Sequence, residues 1–378
     1  MILPVSLGDF YYNSLFATYC NIFEFMIKFL KAYIYYGGFT MKRFLALILC
    51  AIIVFGGCSA KETAINSDGE DIIIETEEEE MVENDFYKMA TSPKRPIAIM
   101  IDNDSEASRP QIGLEDAYLV YEIIVEGGAS RIMALFKNYR LEKVGPVRSS
   151  RHYFLDYALE NGAIYTHAGW SPQAQRDIAA FDVDNINGLI GNDTNNFWRD
   201  STYDNTWHNL YTSTAKLSEY ARSKKDYKMK AGQGPVNFLK EDKITGDTEC
   251  SKLSFSYSQM YRVGFTYNPE TKMYERSING RPHLSQTGKA FPAKNIIVYD
   301  VANYTLNDGQ NKGRQDLENT GSGEGWYVSM GKAEKITWSK KSRTSKTVYK
   351  RADGTELEVN PGVTYIQIIP KNTQINME

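Results

Sequence analysis

The residues best suited to chemistry lie in the stretch 145–151, which reads Gly-Pro-Val-Arg-Ser-Ser-Arg and stands between an apolar run and an aromatic segment with helical spacing. A helix capped by Ser149 or Ser150 would present unpaired backbone N–H groups and the positive end of its dipole. With the guanidinium groups of Arg148 and Arg151, these donors would bind a phosphate or a carboxylate. Two ordinary surface arginines beside a capped helix are an equally open interpretation.

Two further candidates stand at the ends of short apolar runs. Asp102 follows residues 97–101, and His167 ends residues 163–167. Continuous apolar runs are typical of strands buried on both faces, and open α/β sheets bind ligands beyond the carboxyl ends of such strands. If the two strands are parallel neighbours, Asp102, His167 and the 145–151 loop meet at one rim. For Asp102, capping of its own loop is the alternative.

A predicted hairpin contributes two carboxylates. Two apolar runs, residues 118–125 and 130–136, surround a glycine pair, which predicts a β-hairpin. Glu122 interrupts the first run, and Glu126 and Arg131 flank the turn. A carboxylate inside an apolar strand must be paired, protonated or at a wet site, so both glutamates are candidate acids. The alternative places Glu122 on an exposed face and pairs Glu126 with Arg131.

A polar segment leads to the last candidates. Residues 182–204 are rich in Asn, Asp, Gly and Thr, which predicts a long loop, and long loops within domains are often functional. The segment leads to His208 and Asn209, where a histidine is available for hydrogen bonding or proton transfer. A structural histidine stacked on Trp207 is equally open.

The first ninety residues predict export. Residues 41–57 combine a short basic start, an apolar run too short to cross a bilayer, and small residues before Cys58. This order is typical of a lipoprotein signal that is cleaved before Cys58, which then carries the lipid, such as palmitate, at the extracytoplasmic face of the membrane; a signal anchor with an incidental cysteine is the alternative. Residues 1–40 fit no such pattern and are interpreted as an untranslated upstream extension. Residues 58–92 are acidic and predict a disordered tether.

The remaining chain predicts two folded domains. Its 378 residues, of which 42% are hydrophobic, can bury a sizeable core. Residues 93–235 predict an α/β ligand-site domain with a mixed sheet and flanking helices, and residues 250–372, with short alternating runs and glycine turns, predict a mostly β domain. Only Cys58 and Cys250 would survive cleavage, which excludes a disulfide framework. The body after the tether is weakly basic and has no footprint for nucleic acid.

Several motifs occur together in a known family. In chain order they are Asp102-Asn103, Arg109-Pro110-Gln111, Glu122, Glu126-Gly127-Gly128 with Arg131, 145–151, His208-Asn209, Gly331, Trp338-Ser339-Lys340, Asp353-Gly354 and Pro361-Gly362. From about Arg95 to Pro370 the chain thus resembles the YerB-like lipoproteins of Gram-positive bacteria, although Trp207 stands where that pattern has proline. The resemblance implies a lipid-anchored, two-part extracytoplasmic protein of a family without established chemistry.

Three functions stay open on the sequence alone. The first is the binding of an anionic cell-envelope ligand through an arginine- and histidine-lined site, whose candidate residues are Arg109, Arg131, Arg148, Ser149, Ser150, Arg151 and Asn209. The second is a hydrolase or transferase for a phosphorylated or wall-derived substrate, with candidate catalytic residues His167, His208, Glu122, Glu126 and Asp102. The third is an adaptor for a cell-wall protein partner. No metal-ligand spacing or phosphate-binding glycine loop occurs in the sequence, so no cofactor or metal is predicted.

Overall fold

The computed structural model describes residues 63–65, 71–73, 85–104 and 109–378. The predicted upstream extension, the predicted signal and Cys58 lie outside these residues. The chain forms two compact units, Met1–Glu80 and Met81–Glu378. In the first unit, β1 (Thr63–Ile65) and β2 (Asp71–Ile73) pair antiparallel within the predicted tether. Among the described residues, no helix has the length and the apolar character to cross a bilayer.

The second unit contains few helices and many strands. Its α-helices are Asp85–Thr91, His152–Glu160, Pro172–Ala180 and Thr214–Ser223, and its 3₁₀ helices are Leu114–Asp116, Glu126–Gly128 and Gly191–Asn196. The strands of its first half are β3 Ile97–Ile101, β4 Leu119–Ile124, β5 Ser130–Phe136, β6 Ile164–His167, β7 Asn185–Asn187, β8 Phe197–Arg199, β9 Leu210–Thr212 and β10 Asn237–Phe238.

The second half is almost entirely β-structure. Its strands are β11 Thr248–Glu249, β12 Lys252–Ser258, β13 Tyr261–Asn268, β14 Met273–Ile278, β15 Arg281–Pro282, β16 Pro292–Ala293, β17 Asn295–Val301, β18 Asn303–Thr305, β19 Gln315–Leu317, β20 Gly321–Ser329, β21 Lys332–Lys340, β22 Val348–Arg351, β23 Glu358–Val359, β24 Thr364–Pro370 and β25 Asn376–Met377. The predicted fold class, mixed α/β followed by mostly β, is confirmed.

One eleven-stranded mixed sheet runs through both halves of this unit. Its order is β11-β21-β20-β17-β24-β4-β5-β3-β6-β7, with β22 beside β21. β24 is parallel to both β17 and β4, and β6 is parallel to β3, so the condition set for a common rim is met. A six-stranded sheet built on β12, β13 and β14 accompanies it.

Side-chain pattern explains which strands are central. Every residue of β3, β4 and β5 is buried, as continuous apolar runs predict. In β12, by contrast, buried and exposed residues alternate, because one face of the smaller sheet meets the core and the other meets solvent. The hydrophobic core therefore follows the large sheet from one half of the unit to the other.

Three local expectations need correction. The helix after the 145–151 stretch begins at His152, with Arg151 as a cap residue that makes no side-chain cap bond, so no serine caps it. Both serines are engaged elsewhere: Ser149 Oγ donates to Ala168 O and Ser150 Oγ accepts from Tyr165.

The other two corrections concern segments predicted to lack structure. The predicted loop 182–204 contains β7, a 3₁₀ helix and β8. The helix Asp85–Thr91 occupies the end of the predicted tether, and its Phe86 and Met89 pack against the core. Apolar contacts with the rest of the unit thus order a segment whose acidic composition predicts disorder.

Candidate functional site

The 145–151 stretch lies between the end of β3 and β9. On one side Asp102 N donates to Pro146 O at 2.8 Å, and Arg148 N donates to Met100 O at 2.8 Å. On the other side Val147 N donates to the backbone of β9 at 2.6 Å. Because β9 starts two residues after His208, this backbone pairing brings Arg148 between Asp102 and His208.

Gly145 is required for that pairing. Its φ is 148°, in the region that favours glycine, and a Cβ there would lie 2.9 Å from the Tyr211 ring and 3.0 Å from Leu210 O. Any larger residue would push the stretch away from β9. The glycine of the motif therefore sets the distance between Arg148 and the loop that carries His208.

The side chains brought together are Asp102, Asp104, Arg148, Trp207 and His208, which we call the rim cluster. His208 Nδ1 lies 2.7 Å from Asp102 Oδ2, and Arg148 Nε lies 2.8 Å from the same oxygen. Arg148 Nη2 lies 3.1 Å from Asp104 Oδ2. The Trp207 ring lies against both side chains, with its centroid 3.7 Å from the guanidinium carbon of Arg148 and 4.2 Å from the imidazole centroid of His208. The predicted Trp207–His208 stacking is thus present, together with a hydrogen bond that places His208 in a charged site.

The charges of the rim cluster shift the pKa values of its members. Burial alone raises the pKa of Asp102, but the hydrogen bond from His208 and the charges of Arg148 and Arg131 outweigh it and hold the pKa below its ordinary value. The hydrogen bond to Asp102 raises the pKa of His208 against the opposing effect of burial. The pair therefore favours a carboxylate next to an imidazole that readily takes a proton.

Asp102, Asp104 and His208 also offer ligand atoms within 4.8 Å of one another, a spacing that could hold a metal ion. Arg148 argues against that use, since its guanidinium contacts both carboxylates at 2.8 and 3.1 Å. A metal ion would have to displace this cation from the oxygens it needs. We therefore interpret Asp102, Asp104 and His208 as members of a cluster around Arg148 and not as ligands of a metal ion.

Two more arginines lie beside the rim cluster. Arg131 is 2% exposed, donates to Ser149 O at 2.9 Å and lies 4.0 Å from Asp104. Burial and the neighbouring charge of Arg151 lower the pKa of Arg131 to about 10. Arg151 pairs with Glu126 at 2.5 Å. The expected Glu126–Arg131 pair across the hairpin is therefore replaced by a Glu126–Arg151 pair.

Glu122 does not face solvent, contrary to the alternative considered from the sequence, because its exposure is 0%. Arg276 Nη2 donates to both of its carboxylate oxygens at 2.8 Å. Ser130 Oγ and Tyr261 OH donate to Oε1 at 2.6 and 2.9 Å, and Asn103 Nδ2 lies at 3.2 Å. We call these five residues the buried network.

The buried network reaches the loop that carries Asp102 through a second path. Arg276 Nη1 lies 2.5 Å from His283 Nδ1, and His283 Nε2 lies 2.6 Å from Gln111 Oε1. Gln111 in turn donates to Asp102 O at 2.9 Å and to Asn103 at 3.0 Å. Both ring nitrogens of His283 are therefore engaged within the protein.

The remaining predicted residues lie apart from the rim cluster. His167 ends β6, but its ring nitrogens bond Gly169 O at 2.8 Å and Asn185 at 3.3 Å, and burial lowers its pKa to about 4. Arg109 donates to Asn103 at 3.4 Å. Asn209 accepts from Arg199 at 2.6 Å. None of these contacts reaches the Asp102 carboxylate or the His208 ring.

Sequence reasoning missed two residues. Asp104 follows Asp102 by two positions, a spacing that places both carboxylates on one side of an extended segment and that could have identified it. Arg276 occupies a buried position in β14 between Tyr274 and Ile278, where alternation predicts an apolar residue. A charge at an inward position is the signal that could have found it.

The fold and the site define a two-part protein whose mixed sheet carries a charged cluster at one edge. Two family models match it: the N-terminal domain of "Protein of unknown function (DUF3048)" at residues 86–228, and the DUF3048 C-terminal domain at residues 253–366. The chain is 31% identical over 282 residues to "Putative lipoprotein YerB" of Bacillus subtilis (strain 168), with 73% of this chain and 82% of that protein covered.

A crystal structure of the YerB protein from Bacillus subtilis is also similar. It has 29% sequence identity and a TM-score of 0.65, over 76% of this chain and 95% of that chain. The chain therefore belongs to the YerB family of two-part DUF3048 proteins, and the resemblance inferred from its motifs is confirmed.

Proposed function

We propose that the protein is a lipoprotein anchored through Cys58 to the extracytoplasmic face of the membrane, and that it binds an anionic cell-envelope ligand at the rim cluster. The anchor is supported by the order of basic, apolar and small residues in 41–57 before Cys58. It is also supported by the name of the Bacillus subtilis relative, which calls that protein a lipoprotein. The proposed ligand class is a phosphorylated or acidic glycan.

The observation that carries the proposal is the grouping of Arg131, Arg148 and Arg151 beside an exposed tryptophan. The charges of Arg151 and Arg148 both contribute to the lowered pKa of Arg131, so Arg131 is repelled by each of these neighbours. A bound anion would relieve that repulsion. A guanidinium has five N–H donors, and those of Arg148 and Arg151 that are not used by Asp102, Asp104, Glu126 or Ser150 O are suited to phosphate oxygens.

Trp207 adds an apolar surface to these charges. It is 58% exposed, although Arg148 and His208 both contact its ring. Since these two residues share the Asp102 oxygen, they cover the ring from one side and leave other ring surface to solvent. A sugar ring carrying a phosphate fits this combination, with its apolar face on Trp207 and its charge on Arg148.

The carboxylates of the site limit the affinity. Asp102, Asp104 and Glu126 compensate the three arginines, and only protonated His208 adds further positive charge. We therefore expect modest affinity that weakens with salt, since part of the attraction acts at the surface. Affinity should also fall as the pH rises through the raised pKa of His208, because the imidazole then loses its charge.

A thermal-shift titration of the full chain in detergent tests the proposal. Glucose 1-phosphate should raise the unfolding temperature by mass action, whereas glucose should not. Arg148→Lys keeps the charge but loses the two-pronged geometry, so the affinity should fall about tenfold, or ~1.4 kcal/mol.

The matched control is Arg222→Lys, an exposed arginine of the helix Thr214–Ser223 that pairs with Glu219. This variant should bind as the wild type does. The proposal fails if glucose 1-phosphate gives no shift, or if the shift survives Arg148→Lys unchanged.

A further inference from the structure

We infer that His208 is the general base of a phosphodiester hydrolysis at the rim cluster, with Asp102 as its positioning residue. The inference rests on the proposed function for its substrate class, an anionic phosphorylated ligand. It goes beyond binding because it assigns a proton transfer to one atom, His208 Nε2.

The bonds of Asp102 fix the tautomer of His208. The carboxylate of Asp102 is fully buried, and its Oδ2 is 2.8 Å from Arg148 Nε and 2.7 Å from His208 Nδ1. A carboxylate can only accept, so Nδ1 carries the proton. In the neutral imidazole the lone pair therefore lies on Nε2, and no residue described by the structure hydrogen-bonds that atom. This is the arrangement that a general base requires.

The backbone holds the ring in place. His208 N donates to Asp204 Oδ2 at 3.1 Å, and the ring lies under Trp207 with 7% of the residue exposed. The charged groups that face His208 are thus Asp102 and Asp104 from the end of β3, Arg148 from the 145–151 stretch, and Asp204 from its own loop. The balance raises the pKa of His208, because the hydrogen bond to Asp102 outweighs burial and the charge of Arg148.

The step needs only water and the phosphodiester. His208 Nε2 takes a proton from water as the water oxygen bonds to phosphorus, and the bond from phosphorus to the leaving oxygen breaks. The imidazolium then returns the proton to the leaving oxygen, which gives a phosphomonoester and an alcohol. Arg148, which contacts both Asp102 and Asp104, is the cation that would stabilise the charge that gathers on the phosphoryl oxygens.

Two of the other three histidines of the unit do not offer this arrangement. Both ring nitrogens of His167 and of His283 have hydrogen-bond partners. His152 Nε2 lies 2.7 Å from Asp316 Oδ1, which forms a second Asp–His pair. That pair lies beside Tyr304 rather than in the rim cluster, so His152→Gln serves as a matched control.

Hydrolysis of bis(p-nitrophenyl) phosphate by the full chain in detergent tests the inference. His208→Ala should lower the rate about 100- to 10,000-fold, the usual contribution of general acid–base catalysis, while His152→Gln keeps the wild-type rate. The wild-type rate should rise with pH through the His208 pKa and then level off. Asp102→Asn should move that midpoint to lower pH, which a merely structural role would not do.

Binding is measured separately so that the two proposals fail separately. If glucose 1-phosphate stabilises the wild type but p-nitrophenolate release does not exceed that of His208→Ala, the base assignment is overturned and the binding site stands. If glucose 1-phosphate gives no shift, the proposed function itself fails. A rate abolished by EDTA would also overturn the assignment, since it would indicate that Asp102, Asp104 and His208 bind a metal ion.

Discussion

The buried network and the rim cluster are neighbours in the sequence, since Asn103 of the first stands between Asp102 and Asp104 of the second. The two clusters differ in how their charges are compensated. In the buried network, Glu122 and Arg276 are both fully buried, and four groups donate to the Glu122 carboxylate. In the rim cluster, one arginine is shared between Asp102 and Asp104, and the cluster is covered by the exposed Trp207. In the first arrangement the Glu122 oxygens accept from the protein's own groups, whereas the second keeps its charges next to solvent.

The comparison teaches how to separate structural from functional charge. Glu122 attracts attention in the sequence because a carboxylate interrupts an apolar strand. In the structure, that carboxylate is compensated by its ion pair with Arg276. Asp102 has a similar burial, but its partner His208 has a nitrogen that no described residue engages, so Asp102 supports a group that is available to a substrate.

The largest effect should come from breaking the buried pair. Arg276→Met leaves the Glu122 charge without its partner, which should lower the free energy of unfolding by about 3 to 5 kcal/mol in urea titrations. Adding Glu122→Gln should recover part of this loss. Lys371→Met removes the exposed pair with Asp300 and is the control, with an expected loss below about 1 kcal/mol. A similar loss in both single variants would contradict the distinction.

The corresponding change in the rim cluster should cost less. Asp102→Asn removes the charge that accepts from His208 and forms the ion pair with Arg148, but it keeps an acceptor oxygen in place. We expect a loss of about 1.5 to 3 kcal/mol in the free energy of unfolding, the usual contribution of hydrogen bonds to charged groups. Urea titration at neutral pH measures it, and a loss larger than that of Arg276→Met would reverse the proposed ranking.

The two clusters should also differ in their response to pH. The raised pKa of His208 means that its contribution is present below its unfolded value of about 6.5 and is lost as pH rises through the folded pKa. The lowered pKa of Asp102 means that its contribution is present above about 3.9 and is lost as pH falls through the folded pKa. The stability difference between wild type and His208→Gln, about 1 kcal/mol, should therefore peak between these values.

Unfolding measured from acid to alkaline pH checks this window. Arg276→Met is measured over the same pH range for comparison. A His208→Gln difference that grows toward alkaline pH would contradict the assigned direction of the shift.

The smallest effect on stability should come from Trp207. Trp207→Ala removes an exposed ring and its contact with Arg148, so the free energy of unfolding should fall by only about 0.5 to 1 kcal/mol. Binding of glucose 1-phosphate should nevertheless weaken. Met260→Ala, at a residue that is 73% exposed, is the control for both measurements. A loss of stability without a loss of binding would show that Trp207 has a structural role and takes no part in binding.

Local pattern was sufficient for most of the fold. The apolar run 97–101 predicts a buried strand, and the glycine pair between residues 118–125 and 130–136 predicts a hairpin that the structure confirms. These signals involve neighbours in sequence, so they can be found without tertiary contacts. The approach of Asp102 to Arg148 could also be predicted from the sequence, because parallel strands end at the same edge of a sheet.

The unpredicted features depend on partners that are distant in the chain. Glu122 pairs with an arginine 154 positions later, and no local pattern links the two. Ser149 and Ser150 do not cap the helix, because they form hydrogen bonds with Ala168 and Tyr165 instead. Likewise, His167 has the expected position at a strand end, but Asn185 from the next strand engages its ring.

The place of β24 in the large sheet has a consequence for how the chain folds. This strand, Thr364–Pro370, lies between Asn295–Val301 and Leu119–Ile124 and is parallel to both. Its pairing with β4 closes a very long loop, and such distant parallel pairing is slow to form. If the chain crosses a membrane from its amino end, as an exported lipoprotein would, the edge of β4 stays open to wrong partners until Thr364–Pro370 has emerged.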